Sequence, residues 1–163
     1  MASPNVSHVI APDQMAGYVA FWQRQLRMLD WTFEARIVRR HEMSVASRIG
    51  EVFWNNHHKR ARVSLLDPVD HDPTSVVPYD MEEVLVHEMI HPLYGKHTAP
   101  ETDGAAYDAM EVSINMLAQA LVRLARQGTE YPFASARGDG AATLTLDPTF
   151  EVTLPPSQDT GYA

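Results

Sequence analysis

The residues of this 163-residue chain that best fit a chemical role are His87, Glu88 and His91, which form the pattern His-Glu-x-x-His. Residues four apart lie on one face of an α-helix, so both imidazoles could offer a ring nitrogen to a single ion. A glutamate beside the open coordination position can then act as a general base toward water. The three residues predict a site for one zinc ion, with His87 and His91 as ligands and Glu88 as the catalytic group.

A hydrolytic zinc site usually has three protein ligands, and the sequence offers two candidates for the third. Glu111 lies twenty residues after His91 and falls within a helical stripe of mainly apolar residues. A carboxylate in such a stripe is costly to bury without a partner, and a metal ion removes that cost. His97, six residues after His91, is the alternative, although Tyr94 occupies the position where that pattern requires glycine. The sequence favours Glu111 and leaves His97 open.

Other side chains near the motif could support the same chemistry. Asn115 lies one helical turn after Glu111, where its amide could orient a ligating histidine through a hydrogen bond. Cleavage of a carbonyl substrate also needs a donor for the developing oxyanion, and Tyr94, His97 and Tyr107 are the candidates. The sequence does not choose among these three.

The elements that must position these residues follow from the apolar pattern. Apolar residues at steps of three and four from Met15 to Leu29 predict an N-terminal amphipathic helix. Period-two alternation predicts three half-buried strands. The predicted strands are 31–37, 47–54 and 61–65. A loop is expected over 67–79, because this stretch holds three prolines and three aspartates.

The motif itself is predicted to lie on a short helix. Asp80 followed by Glu83 has the form of a capping box, so the helix should begin at Met81. Pro92 should end it near His91, because proline lacks the amide that would bond to the Glu88 carbonyl. A loop over 92–104 and a long helix over 105–127 complete the prediction, with Gly128 as its stop signal.

Composition limits the function classes. The chain has no cysteine, so any metal must be held by histidine and carboxylate. A net charge of −8 argues against a nucleic-acid partner, and no apolar run is long enough to span a membrane. The N-terminus has no features of a secretory signal, so we expect a cytoplasmic location in the producing or host cell.

Charge is distributed unevenly along the sequence. Residues 31–66 contain seven basic and three acidic residues, whereas residues 67–111 contain eleven acidic residues and one lysine. A solvated sheet face near an acidic loop would explain this asymmetry. An acidic cleft that retains divalent cations or prefers basic substrates is the alternative explanation.

The length is that of one domain, and we expect an α+β architecture. It would consist of an N-terminal helix, a sheet of three to four strands, the motif helix and a long C-terminal helix. The predicted domain spans 1–131. Residues 132–163 are expected to form a C-terminal extension, partly extended or loosely ordered, with one alternating segment at 142–146.

The motif followed by a glutamate on a helix resembles the gluzincin branch of zincin-like metallopeptidases. The segment from Glu111 to Val122 is also similar to the Glu-x-x-x-Asn-x-x-Ala helix of ImmA/IrrE-type regulators, and small His-Glu-x-x-His proteins of bacteriophage genomes share the general plan. The resemblance covers roughly residues 31–126. It implies a zincin-like fold, one zinc ion held by His87, His91 and Glu111, and Glu88 as the base.

Two functions are therefore open. The first is a zinc metallopeptidase acting on a polypeptide substrate. The second is a non-catalytic structural or assembly protein, for instance a phage particle component, that retains the metal for stability. A structural site should be closed by a fourth protein ligand such as His97 or Asp103, whereas a hydrolase needs an open position. The sequence does not indicate the oligomeric state.

Overall fold

A computed structural model describes residues 5–98 and 104–133, with side chains given for all of these except 95–98. Within these ranges the chain has an α+β fold with three α-helices, a three-stranded sheet and a two-stranded sheet. The elements are β1 (Val6–His8), α1 (Met15–Gln25), β2 (Thr32–Val38), β3 (Gly50–Asn55), β4 (Arg60–Leu66), β5 (Tyr79–Asp80), α2 (Met81–Thr98) and α3 (Ala105–Gln127).

The larger sheet has the strand order β2-β4-β3. β4 is central, pairing in parallel with β2 and antiparallel with β3. The β3–β4 hairpin turns at Asn55, whose side-chain oxygen accepts hydrogen bonds from the amides of His57 and His58. Lys59 completes the turn with a φ of 51°. Because β4 is central, β3 is an edge strand. It is the strand nearest the motif residues.

One face of this sheet carries the core. α2 packs against β3 and β4, α3 packs against α2, and α1 packs near β2. Each element contributes apolar side chains that are almost fully buried. They include Trp22 of α1, Val63 and Leu65 of β4, Leu85 and Met89 of α2, and Ile114 of α3.

A buried polar network joins the start of α2 to the end of α3. Glu82 has no exposed surface and accepts hydrogen bonds from Trp22 (2.9 Å), Tyr131 (2.6 Å) and Arg126 (2.9 Å). Arg126 also donates two hydrogen bonds to Asp80, at 2.8 and 2.9 Å. A buried carboxylate is stable only when it is paired and hydrogen-bonded in this way. The network fixes α3 antiparallel to α2.

Most of the predicted elements are present. The N-terminal helix, the three strands and the long helix are confirmed, the last with the predicted bounds. The Asp80 cap is also confirmed, since its carboxylate accepts hydrogen bonds from the amides of Glu82 and Glu83. The apolar stripe of the first helix is shorter than predicted, because Leu29 lies beyond α1 and is 73% exposed.

The predicted end of the motif helix is wrong. α2 continues through Pro92 to Thr98, so residues 92–98 are helical and not part of a loop. An interior proline costs about 3 kcal/mol in a helix. Burial of side chains at and before the proline offsets this cost, since Met89, Ile90 and Pro92 itself are buried.

Two short strands were not predicted. β1 and β5 pair in parallel, in a stretch expected to be a polar N-terminus and the end of a loop. The pairing is set by contacts between distant residues, including a hydrogen bond from the Tyr79 amide to the Asn5 carbonyl. Strands of two or three residues carry too little pattern to be recognised in a sequence.

The described chain after α3 packs on α1. Phe133, two residues past the predicted domain boundary, stacks on Tyr18 with ring centroids 3.7 Å apart. The alternating segment at 142–146 and the rest of the predicted extension lie outside the described residues. Among the helices that are described, none combines the length and apolar character that a membrane crossing would require.

Candidate metal centre

α2 and α3 bring three potential ligands to one point. The Nε2 atoms of His87 and His91 are 3.0 Å apart. Glu111 reaches across from α3, with Oε2 at 3.2 Å from His87 Nε2 and Oε1 at 3.6 Å from His91 Nε2. These three side chains could hold a metal ion, and they are the ligands favoured by the sequence.

The spacing of these atoms can be compared with that of ligands around a tetrahedral metal ion such as zinc. Zinc bonds to histidine nitrogen and carboxylate oxygen are about 2.0–2.2 Å long, so neighbouring ligand atoms should be about 3.3–3.6 Å apart. The separations of 3.0 Å between the two Nε2 atoms and 3.2 Å between His87 Nε2 and Glu111 Oε2 lie within a few tenths of an ångström of that range, while His91 Nε2 is 3.6 Å from the other carboxylate oxygen, Oε1. Glu111 Oε1 is buried and has no hydrogen-bond partner among the described residues, and an ion held by this group would remove the cost of burying it.

Burial keeps the two histidines in the form that binds metal. It lowers the pKa of His87, against the opposing charge of Glu111. Burial, reinforced by the neighbouring His87, lowers the pKa of His91 to about 4. Both rings are therefore neutral near pH 7, so neither has to lose a proton before it can coordinate an ion.

Asn115 lies on the same side of α3 as Glu111 and lines the cavity beside His87. Its side chain raises the pKa of His87 through hydrogen bonding, although burial lowers it more strongly. In the described structure the buried Nδ1 of His87 lacks a hydrogen bond of normal geometry. The position of Asn115 agrees with its predicted role of orienting the His87 ring.

Glu88 follows His87 on α2, and its carboxylate lies against Gly50 of β3. It is 7% exposed, and no hydrogen bond or ion pair joins it to another described residue. Burial, with the negative charge of Glu111 nearby, raises the pKa of Glu88 to about 8. Gly50 provides the space for this carboxylate, because a Cβ there would lie 2.7 Å from Glu88 Oε1.

An open cleft of about 510 Å³ lies between β3, α2 and α3, and the three ligands are on its wall. Tyr94 and Tyr107 also line it, so two of the three candidate oxyanion donors border the site. Burial and a hydrogen bond with Glu111 raise the pKa of Tyr107, which keeps its hydroxyl protonated. His97 is in the last turn of α2, but its side chain lies outside the described part, as does Asp103.

The charge of the cleft agrees with the second explanation for the uneven charge of the sequence, namely an acidic cleft. Its lining includes five acidic side chains and one basic side chain among the described residues. The acidic residues are Glu51, Asp80, Glu83, Glu88 and Glu111. A cleft of this composition attracts divalent cations.

β3 offers unpaired main-chain groups to the cleft. The Leu66 amide donates to the Ile49 carbonyl, and hydrogen-bonded pairs alternate along an antiparallel ladder. The main-chain N–H and C=O groups of Gly50, Val52 and Trp54 are therefore directed away from β4. Within the described chain no strand pairs with this side of β3.

Three further cleft residues were not identified from the sequence. Trp54 is half-buried and lies nearly parallel to the His91 ring, with centroids 6.3 Å apart. Gly50 could have been noticed as a glycine within a strand, which often marks a close approach. Nothing in the sequence singled out Arg48, because its position depends on how the β2–β3 connection folds.

Comparison with protein-family models, with curated proteins and with solved structures found no match for this chain.

Proposed function

We propose that this protein is a zinc-dependent metallopeptidase that hydrolyses peptide bonds in a polypeptide substrate. The observation that carries the proposal is the meeting of His87, His91 and Glu111 as a group that could hold a metal ion, beside a buried glutamate in an open cleft. The proposal also keeps the resemblance to gluzincins as its family hypothesis.

The residues of the site fit the steps of amide hydrolysis. A bound zinc ion would supply Lewis acidity, polarising the carbonyl and lowering the pKa of water. Glu88 accepts a proton from the attacking water and delivers it to the leaving amine. Its raised pKa of about 8 makes it competent as a donor near neutral pH, and a nearby cation favours its ionised form. Tyr94 and Tyr107 are the donors available to the developing oxyanion.

The edge of β3 favours an extended peptide as the substrate. Peptides bind to exposed sheet edges by main-chain hydrogen bonds, which leave alternate side chains free to enter pockets. The unpaired groups of Gly50, Val52 and Trp54 would bind such a chain alongside the metal ligands. A sugar or nucleotide has no repeating main-chain donors and acceptors to match them.

The test is metal content and peptidase activity of purified variants. Glu111→Gln should lose most of the bound zinc, because one of three ligands is removed, whereas His97→Ala should retain it. His58→Ala, at an exposed position of the β3–β4 turn, is the matched histidine control. Zinc retention by Glu111→Gln together with its loss from His97→Ala would show that the ligand assignment is wrong.

Glu88→Gln separates the two functions left open by the sequence. We expect it to bind zinc normally and to lose at least a hundredfold in turnover, because removal of a general base costs about 10²–10⁴-fold. If the wild-type protein binds zinc tightly but cleaves no member of a diverse peptide library, the non-catalytic assembly role replaces the peptidase.

A further inference from the structure

Arg48 differs in charge from every other group on the cleft wall. It is the basic side chain in the described cleft lining, and it is exposed to solvent at the cleft mouth. It lies in the connection between β2 and β3, two residues before Gly50, which contacts Glu88. A cation at this position has no part in the hydrolytic steps assigned above.

Hydrogen bonds from the Arg40 side chain hold the main chain around Arg48 in place. Arg40 donates hydrogen bonds to the carbonyls of Ala46 and Arg48, at 2.8 and 2.9 Å, and to the Asp70 carbonyl at 2.8 Å. Asp70 also forms a two-bonded ion pair with Arg39, at 2.7 and 2.8 Å. These contacts fix the position of the Arg48 backbone. Because this backbone is already ordered, binding a ligand through the Arg48 side chain costs less conformational entropy.

The Arg48 guanidinium has no partner in the described structure. No ion pair or hydrogen bond links it to another described residue, although the cleft is rich in carboxylates. Glu51 instead accepts hydrogen bonds from the amide and hydroxyl of Ser44, and Asp80 is bound to Arg126. These two acids are therefore already occupied, Glu88 forms no ion pair with Arg48 among the described residues, and the Arg48 charge stays available to a ligand.

The charge of Arg48 acts at the metal end of the cleft. It lowers the pKa of Glu88 and of Tyr107, against the larger effect of burial, which raises both. It also lowers the pKa of His91, in the same direction as the larger effect of burial. If a divalent cation is bound by Glu111 and the two neutral histidines, the net charge of the cation, its ligands and Arg48 is positive. A negative group on a ligand that occupies the site would be attracted there.

We infer that Arg48 is a carboxylate-binding residue and that this cleft selects peptides carrying a carboxylate beside the bond to be cleaved. The planar guanidinium can bind a carboxylate through two parallel hydrogen bonds, which adds geometric selectivity to the attraction. The carboxylate could belong to an aspartate or glutamate side chain or to the C-terminus of the substrate. This inference rests on the proposed peptide-cleaving function and adds the substrate class.

The test measures binding, so that it does not depend on turnover. The probes are short peptide hydroxamates, whose hydroxamate group binds zinc, in two matched pairs. One pair has glutamate or glutamine next to the hydroxamate, and the other has a free C-terminal carboxylate or its amide. Their affinities for the zinc-loaded full-length protein are measured by calorimetry at low and at high salt.

We expect the wild-type protein to bind the acidic member of at least one pair about tenfold more tightly, the low end for a charge-assisted hydrogen bond at an exposed site. In Arg48→Gln the affinity ratio of that pair should fall close to one, and high salt should reduce it in the wild type. Arg24→Gln, an exposed arginine at the end of α1, is the control and should keep the wild-type ratio. The pair that shows the effect identifies the source of the carboxylate.

The other outcomes overturn the inference in distinguishable ways. If both members of both pairs bind the wild-type protein equally, Arg48 does not select a carboxylate and the proposed metal site stands. If Arg48→Gln weakens acidic and neutral probes by the same factor, Arg48 supports the site in another way. If no hydroxamate binds the zinc-loaded protein, the proposed function fails and this inference fails with it.

Discussion

Replacing Gly50 by alanine should disturb Glu88, the proposed base, more than the candidate metal ligands. The backbone of Gly50 lies in a regular strand, so alanine can adopt its conformation, and the effect comes from the added methyl group alone. That methyl group would overlap Val84 and would lie 2.7 Å from Oε1 and 3.1 Å from Cγ of Glu88. Since both neighbours belong to α2, either α2 or the Glu88 side chain must move.

The magnitude follows from the burial of Glu88. A clash with the end of a flexible exposed side chain would be relieved at little cost, but Glu88 is only 7% exposed. Overpacking of a buried site costs about 1–3 kcal/mol, and we expect the free energy of unfolding to fall by this amount. Displacement of a reacting group by about 1 Å can lower turnover about a hundredfold. Zinc affinity should fall less than turnover, because the added methyl group meets Val84 and Glu88 and none of the three candidate ligands.

The assays are urea unfolding followed by tryptophan fluorescence, zinc competition with a chelating dye, and peptide hydrolysis. Gly17→Ala is the matched control, because its Cβ would lie 3.4 Å from Phe133, an ordinary contact. Alanine inside helix α1 should stabilise the fold by about 0.5–1 kcal/mol. A Gly50→Ala protein with wild-type stability and turnover would refute this account of how Glu88 is positioned.

Three further predictions concern pH, fluorescence and metal. Burial raises the pKa of Asp80, but the hydrogen bonds and charge of Arg126 outweigh it and leave the pKa below 3.8. The stability contributed by the Asp80–Arg126 pair is fully present above pH 3.8 and is lost as pH falls through the folded pKa of Asp80. Acid should therefore destabilise the wild type more than Asp80→Asn, which is measured by unfolding at several pH values. Zinc binding should change tryptophan fluorescence through Trp54, which lies beside His91, and Trp54→Phe should abolish most of that response. Zinc at a thousand times its dissociation constant should stabilise the fold by about 4 kcal/mol, and a chelator should reverse the shift in melting temperature.

The sequence predicted the parts of the site that depend on local chemistry. The helical face of His87 and His91, the Asp80 cap and the bounds of the long helix depend on residues within a few turns of one another. Glu111 was identified as a ligand candidate because a carboxylate within an apolar stripe requires a partner. The structure brings it to the two histidines, in agreement with that argument.

The sequence failed where distant contacts decide the structure. Pro92 was expected to end the helix, and its local cost is real, but burial of the neighbouring side chains outweighs it. β1 and β5 exist only because they pair with each other. Arg48 and Gly50 acquire their roles from the approach of the β2–β3 connection to α2, which no local pattern records.

The position of Glu111, the proposed third ligand, depends on a network far from the motif. Arg126 and Glu111 are fifteen positions apart, which places them about 22 Å apart along α3 and within about 60° of the same helix face. The bonds from Arg126 to Asp80 and Glu82 turn that face toward α2 at its start, and Glu111 consequently meets the histidines further along. A carboxylate at 111 on an unanchored helix would have no fixed orientation toward the motif. Protonation of Asp80 should therefore weaken the metal site as well as the fold, because both depend on how α3 is anchored.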